Sequence, residues 1–159
     1  MRNILFVLFF AILTFSACSS AKKTQKGEIE QGISGLITEI KGNQMPKVGV
    51  APATPKPVST TLYVYEPTHI SQVKPLETGS PLYTTINRKL VASVLSDSLG
   101  RYSVALPAGT YSVFVKKGDY FFANMFDREN NIQLVSVDSG KITPLNIPVS
   151  YTHLRAHET

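Results

Sequence analysis

The sequence predicts an all-β protein, an antiparallel and Greek-key-like β-sandwich, and three observations predict it. Apolar residues fall on every second position through many short segments. Gly, Pro, Asn and Asp punctuate those segments at close spacing, and no stretch carries a long helical period. Strands that are apolar on one face bury it by packing against a second sheet. With 159 residues, 43% of them hydrophobic and 17% charged, the chain has the size and composition of one folded domain.

The chain opens MRNILFVLFFAILTFSACSS. Arg2 makes a short positive start, Ile4 to Leu13 an apolar run, and Ser16-Ala17 a small-residue pair before Cys18. Residues 1–17 read as a secretory signal peptide, too short and too poorly flanked to remain as a membrane span. The segment resembles the lipobox of bacterial lipoproteins, with Phe15 where Leu is usual. That resemblance implies that Cys18 becomes the lipidated first residue of the mature protein, held at the membrane by several acyl chains. As the one cysteine, Cys18 also rules out an internal disulfide. Residues 18–30 are polar and without apolar period, and read as a flexible tether to a domain spanning 31–148.

Gly32–Ile40 predicts the first strand, with Ile33, Gly35, Ile37 and Glu39 on one face. Prolines 46, 52, 55 and 57 then impose a long loop, because each removes a backbone donor and fixes φ. The stretch TLYVYEP predicts a strand that sets Leu62, Val64 and Glu66 against Tyr63 and Tyr65. Residues 68–88 read as a second polar loop, and KLVASVLS as the next strand. Asp97-Ser98-Leu99-Gly100 predicts a tight turn, in which the Asp side chain accepts from the backbone two residues on. Tyr102, Val104 and Leu106 share a face, Pro107-Ala108-Gly109 turns the chain, and Tyr111, Val113 and Val115 share the next face. These three strands are expected to form an antiparallel meander with one buried side. GDYFFANMFD, NIQLVSVDSG and KITPLNIPV supply further short strands.

The stretch SDSLGRYSVALPAGTYSVFVKKGDY resembles the carboxypeptidase regulatory-like domain of the transthyretin-like, or prealbumin-like, superfamily. The residues that carry the likeness are Asp97, Gly100, Arg101, Tyr102, Leu106, Pro107, Gly109, Tyr111, Gly118 and Tyr120, and it covers roughly Gln31 to Val149. It implies a prealbumin-like sandwich and no particular activity, since such modules accompany many functions. The motif residues have structural duties in this reading. Tyr102 and Tyr111 pack inward with a hydroxyl on a backbone partner, and Gly109 takes a conformation that a β-carbon would resist.

Charge and chemistry narrow the functional classes. The formal net charge is +5, yet Lys22, Lys23 and Lys26 precede the domain and Lys116-Lys117 end a strand, so no nucleic-acid groove is expected. The string VSYTHLRAHET, residues 149–159, resembles the conceptual translation of a sequencing-library adaptor and reads as a non-native tail, which would leave the true C-terminus missing. Setting it aside removes the His153/His157 pair as metal ligands and leaves His69 alone. A lone loop histidine with no Gly-x-Ser-x-Gly elbow argues against hydrolysis. Asp127-Arg128-Glu129-Asn130-Asn131 reads as a plain turn before a calcium loop. An isopeptide crosslink of the pilin kind would need Lys41 to face Asn146 and is not favoured. Tyr63, Tyr65, Tyr83, Phe121, Phe122 and Phe126 serve core packing or a glycan platform, which the absence of Trp weakens.

The functional expectation is a lipid-anchored module of the cell envelope, at the outer membrane or cell surface, with a protein or glycan partner, no catalytic residues, no metal and no cofactor. An accessory domain of an envelope enzyme system, and a carbohydrate-binding module, stay open as alternatives.

Overall fold

A computed structural model describes residues 29–40, 49 and 54–150. The signal segment, Cys18, Lys41 and residues 151–159 of the tail lie outside the described residues. The first strands in chain order are β1 (Gly32–Ile40), β2 (Lys56–Pro57), β3 (Thr61–Tyr65), β4 (Val73–Pro75), β5 (Leu82–Ile86) and β6 (Leu90–Leu95). They continue as β7 (Arg101–Ala105), β8 (Gly109–Lys117), β9 (Tyr120–Phe122), β10 (Leu134–Val137), β11 (Ile142–Pro144) and β12 (Ile147–Ser150). One 3-10 turn, Ile70–Gln72, is the helical element among the described residues.

Two sheets face one another. The smaller is built around β1, with β7 and then β2 antiparallel along one side, and β11 and then β12 parallel along the other. The larger runs β4-β5-β9-β8-β3-β6 and is antiparallel throughout, with β10 on the first half of β8. Alternation does in β1 what the sequence predicts: Ile33, Ile37 and Glu39 are buried on one face. They meet Tyr102, Val104, Leu106, Ile147 and Val149 of their own sheet, and Leu62, Val64, Val113, Val115, Phe122 and Val135 of the facing one. This is the β-sandwich core.

A second apolar cluster covers the outer face of the larger sheet. Tyr65, Val73, Tyr83, Phe114, Ala123 and Ile132 pack there, with Tyr63, Ile86 and Phe121 partly buried against them. The rings meet edge to face: Tyr63 on Phe121 at 5.3 Å, Tyr65 on Phe114 at 5.7 Å, Tyr83 on Phe114 at 5.9 Å. β8 is therefore buried on both sides, Tyr111, Val113 and Val115 inward and Ser112 and Phe114 outward.

Three expectations need correction. The stretch 96–115 is no meander, because β6 pairs with β3, β7 pairs with β1, and β8 returns to β3. Each turn carries the chain to the other sheet. Period two specifies which face of a strand points inward, and a partner in either sheet satisfies it. Nor is burial one-sided there, since β8 is covered twice. The third correction concerns residues 68–88, which hold β4 and β5 as well as loop. Leu82 and Tyr83 are buried next to each other, one into each cluster, so β5 shows no single apolar face; Thr84 and Thr85 are exposed. At the domain edges, Ile29 is buried within the segment read as tether, and β12 carries Val149 into the core, one residue past 148.

Gly35 and Gly100 are among the glycines that mark where backbones press together. Gly35 sits beside the break between β11 and β12, and a β-carbon there would lie 1.9 Å from the Leu145 carbonyl oxygen. Gly100 has φ +73°, and its β-carbon would lie 2.3 Å from the Ile37 carbonyl oxygen. Gly118 also has positive φ, +53°, but open space around it. In urea unfolding, Gly35→Ala is expected to cost about 2–4 kcal/mol by forcing two strands apart. Gly118→Ala is expected to cost only the backbone penalty of about 1–2 kcal/mol; the reverse order would contradict these contacts.

Candidate functional site

The motif residues of the 97–120 stretch occupy the corners of the sandwich and converge on no single point. Asp97 organises the first corner. Its Oδ1 accepts from the backbone N–H of Leu99 at 2.9 Å and of Arg101 at 2.8 Å, and its Oδ2 accepts from Arg101 Nε at 2.8 Å. These donors, the Arg101 N–H foremost, hold the Asp97 carboxyl below its ordinary range. Ser96, buried beside it, accepts at Oγ from Thr60 N–H at 2.9 Å, with the Val58 and Thr60 carbonyls at 3.0 and 3.1 Å. The corner is thereby fastened to the entry of β3.

Asp127 builds the same device a second time. Its Oδ1 accepts from Glu129 N–H at 2.9 Å and Asn131 N–H at 2.8 Å, and its Oδ2 from Asn131 Nδ2 at 2.8 Å. Asn130 takes φ +61° where the first turn has Gly100. The Asn131 side chain is the chief cause of the lowered Asp127 carboxyl. With both carboxylate oxygens taken by its own loop, this segment is the plain turn expected of it. Among the described residues no group of three His, Cys, Asp or Glu side chains gathers.

The tyrosines reach backbone. Tyr102 donates its hydroxyl to the Leu145 carbonyl at 2.6 Å, and Tyr111 donates to the Pro107 carbonyl at 2.9 Å. Burial raises the Tyr102 hydroxyl well above its ordinary value and pushes Tyr83 up to about 12. Leu106 is in the core and Tyr120 packs against it. Gly109 opens β8, where a β-carbon would meet only the Tyr111 ring at ordinary contact distance, and Gly118 and Asp119 close the hairpin from β8 to β9.

Among the described residues, a cleft of about 200 Å³ lies between the ends of β1, β8 and β12 and residues 58–60. Val58, Val115 and Val149 form its apolar wall, and Gly118 borders it. Glu39 and Lys117 form an ion pair there, its carboxylate nearly buried and its ammonium at the rim. Thr60 donates its hydroxyl to the Lys116 carbonyl at 2.6 Å, so that side chain too is engaged. The volume is below the range of sites that enclose drug-sized ligands. Sequence reading missed this pair, although a signal exists: Glu39 follows Ile33 and Ile37 on the inward face, a charge in an apolar register.

The remaining candidates resolve into structure. His69 caps the 3-10 turn, its Nδ1 accepting from Ser71 N–H at 3.1 Å. Asn146 accepts at Oδ1 from Leu36 N–H at 3.0 Å, filling the break between β11 and β12, while Lys41 lies outside the described residues. Tyr83 and Phe122 are buried, Tyr65 nearly so, and Tyr63 and Phe121 half-buried against each other, so these rings form no exposed row; Phe126 stands apart, exposed. Comparison of the chain with family models, with curated proteins and with solved structures gives no match.

Both turn aspartates carry lowered folded-state pKa values, so the unfolded chain binds protons more readily. The stability they supply is complete above their ordinary value near 3.8 and drains away as pH falls through the folded values. Urea midpoints measured from pH 6 down to pH 2 are expected to fall less steeply for Asp97→Asn/Asp127→Asn than for the parent chain. Parallel curves would contradict it.

Proposed function

We propose that this chain is a lipid-anchored β-sandwich of the cell envelope, of the carboxypeptidase regulatory-like kind, acting without catalysis as a structural or interaction module. The observation that carries this reading is where the polar side chains are spent. Asp97, Asp127, Tyr102, Tyr111, Ser96 and Ser112 each bond to backbone groups of a neighbouring segment or of their own turn. A side chain held this way serves rigidity, and a rigid sandwich suits presentation of a surface.

The anchor rests on the Ser16-Ala17-Cys18 sequence behind an apolar run. A diacylglyceryl thioether on Cys18 plus an amide-linked chain supplies the multiple acyl contacts that stable attachment needs. Residues 18–28, ahead of the buried Ile29, would span up to about 38 Å if extended, enough to lift the sandwich clear of the headgroups. Metabolic labelling with an alkyne palmitate analogue is expected to mark the parent chain and spare Cys18→Ala. Equal labelling of the two would sink the anchor.

A further inference from the structure

We propose that the cleft between the ends of β1, β8 and β12 binds a small zwitterion, an aliphatic α-amino acid, whose ammonium meets Glu39 and whose carboxylate meets Lys117. This goes beyond the anchored-module reading and does not depend on the lipid.

The ion pair stands where packing gives no reason for charge. Along β1 the inward face runs from Ile33 and Ile37 to Glu39, and along β8 it runs from Val113 and Val115 to Lys117. Both strands change from apolar to charged at the same level, and the two residues belong to different sheets. Around them lie Val58, Val115 and Val149. Taking a carboxylate and an ammonium out of water is expensive, and apolar side chains commonly close such a gap with no loss of stability. Stability alone does not account for the pair.

Geometry sets the order of the ligand's groups. Glu39 is the deep member, its side chain 10% exposed, and Lys117 the rim member at 39%. The carboxylate is held in place, because β1 has β2 on one side and β12 on the other at this level, with Glu39 opposite both Lys56 and Val149. Lys117 comes just before the turn at Gly118 and Asp119, and its four-carbon stem lets the ammonium swing outward. Gly118, which borders the cleft, leaves open space where a β-carbon would stand. A ligand entering there turns its ammonium to Glu39 and its carboxylate to the displaced Lys117. Its side chain lies on Val58 and Val149.

Charge and size choose the class. An amine alone gives Glu39 nothing that Lys117 does not already give, and leaves Lys117 without its counter-ion. A carboxylate alone draws Lys117 off and strands Glu39, nearly buried. A zwitterion supplies both counter-ions at once, in the order the cleft presents them. At about 200 Å³ the cleft has room for an amino acid with a short side chain and too little for a drug-sized molecule. Lys116, the other cation at the cleft, is turned away, its ammonium 3.2 Å from the Asp119 carbonyl oxygen and 4.8 Å from the centre of the Phe121 ring. Recognition of charge therefore falls to Glu39 and Lys117.

The test is a ligand series on the full chain, purified in detergent micelles and titrated by ligand-observed NMR. The probes are valine, isobutylamine (valine without its carboxylate), isovalerate (valine without its ammonium) and tryptophan, a zwitterion too large for the cleft. Valine is expected to bind at least about tenfold more tightly than each of the other three. Glu39→Gln and Lys117→Met, which keep the side-chain length, are each expected to weaken valine binding at least about tenfold, while Lys74→Met, exposed on β4, leaves it unchanged. Circular dichroism checks that each variant is folded, and the probe series on the parent chain decides the matter even where a variant is not. Three results would each overturn the proposal: no binding of valine up to its solubility limit, isobutylamine or isovalerate binding as tightly as valine, or a folded Glu39→Gln chain that binds valine as well as the parent.

Discussion

A strand apolar on both faces has to be covered twice, and β8 imposes that requirement on this chain. Val113 and Val115 look into the sandwich, while Phe114 looks outward and is just as completely buried. One facing sheet satisfies the first side only. The second side is met by β4, β5 and the segment around Ala123–Ile132, which lay their own apolar residues over the back of the larger sheet. Ser112 fastens that cover, donating its hydroxyl to the Ile132 carbonyl at 2.6 Å and accepting from Thr68 N–H at 2.9 Å. The hydroxyl is fully buried, and both bonds are needed to offset its desolvation.

The smaller sheet depends on a closer fit of backbone to backbone. β1 has neighbours on both sides over most of its length, and the C-terminal segment follows it in one register through two strands with a break between. At that break Gly35 admits the Leu145 carbonyl, Asn146 supplies the acceptor that the ladder lacks, and Tyr102 donates to the same carbonyl. Three side-chain choices thus repair one interruption. Gln31 does similar service at the other end, donating to the Leu106 carbonyl and accepting from Gly140 N–H, both at 2.8 Å.

Much of this was legible residue by residue. The bounds of β1, the inward face carrying Tyr102, Val104 and Leu106, and the Asp97 side chain bonded two residues on all follow from alternation and turn chemistry. Sheet membership does not, because a strand's period carries no information about which layer accepts it; the 96–115 stretch looks the same as a meander or as two crossings. β5 escaped for another reason. Leu82 and Tyr83 feed opposite clusters, so the pattern of a half-buried strand is missing and the threonines read as loop. The cleft pair was hidden in part by distance, since Glu39 and Lys117 are far apart in sequence, and only Glu39's place in an apolar register hints at it.

Rigid corners and a doubly covered centre together describe a stiff β-sandwich. That picture stands on the two-sided burial of β8. Hydrogen exchange of the folded protein tests it most directly, because amides open at rates set by how much structure must be lost first. The account predicts that Ser112 to Val115 exchange among the slowest, far behind the edge strand β6. Exchange of those amides as fast as the amides of β6 would contradict it.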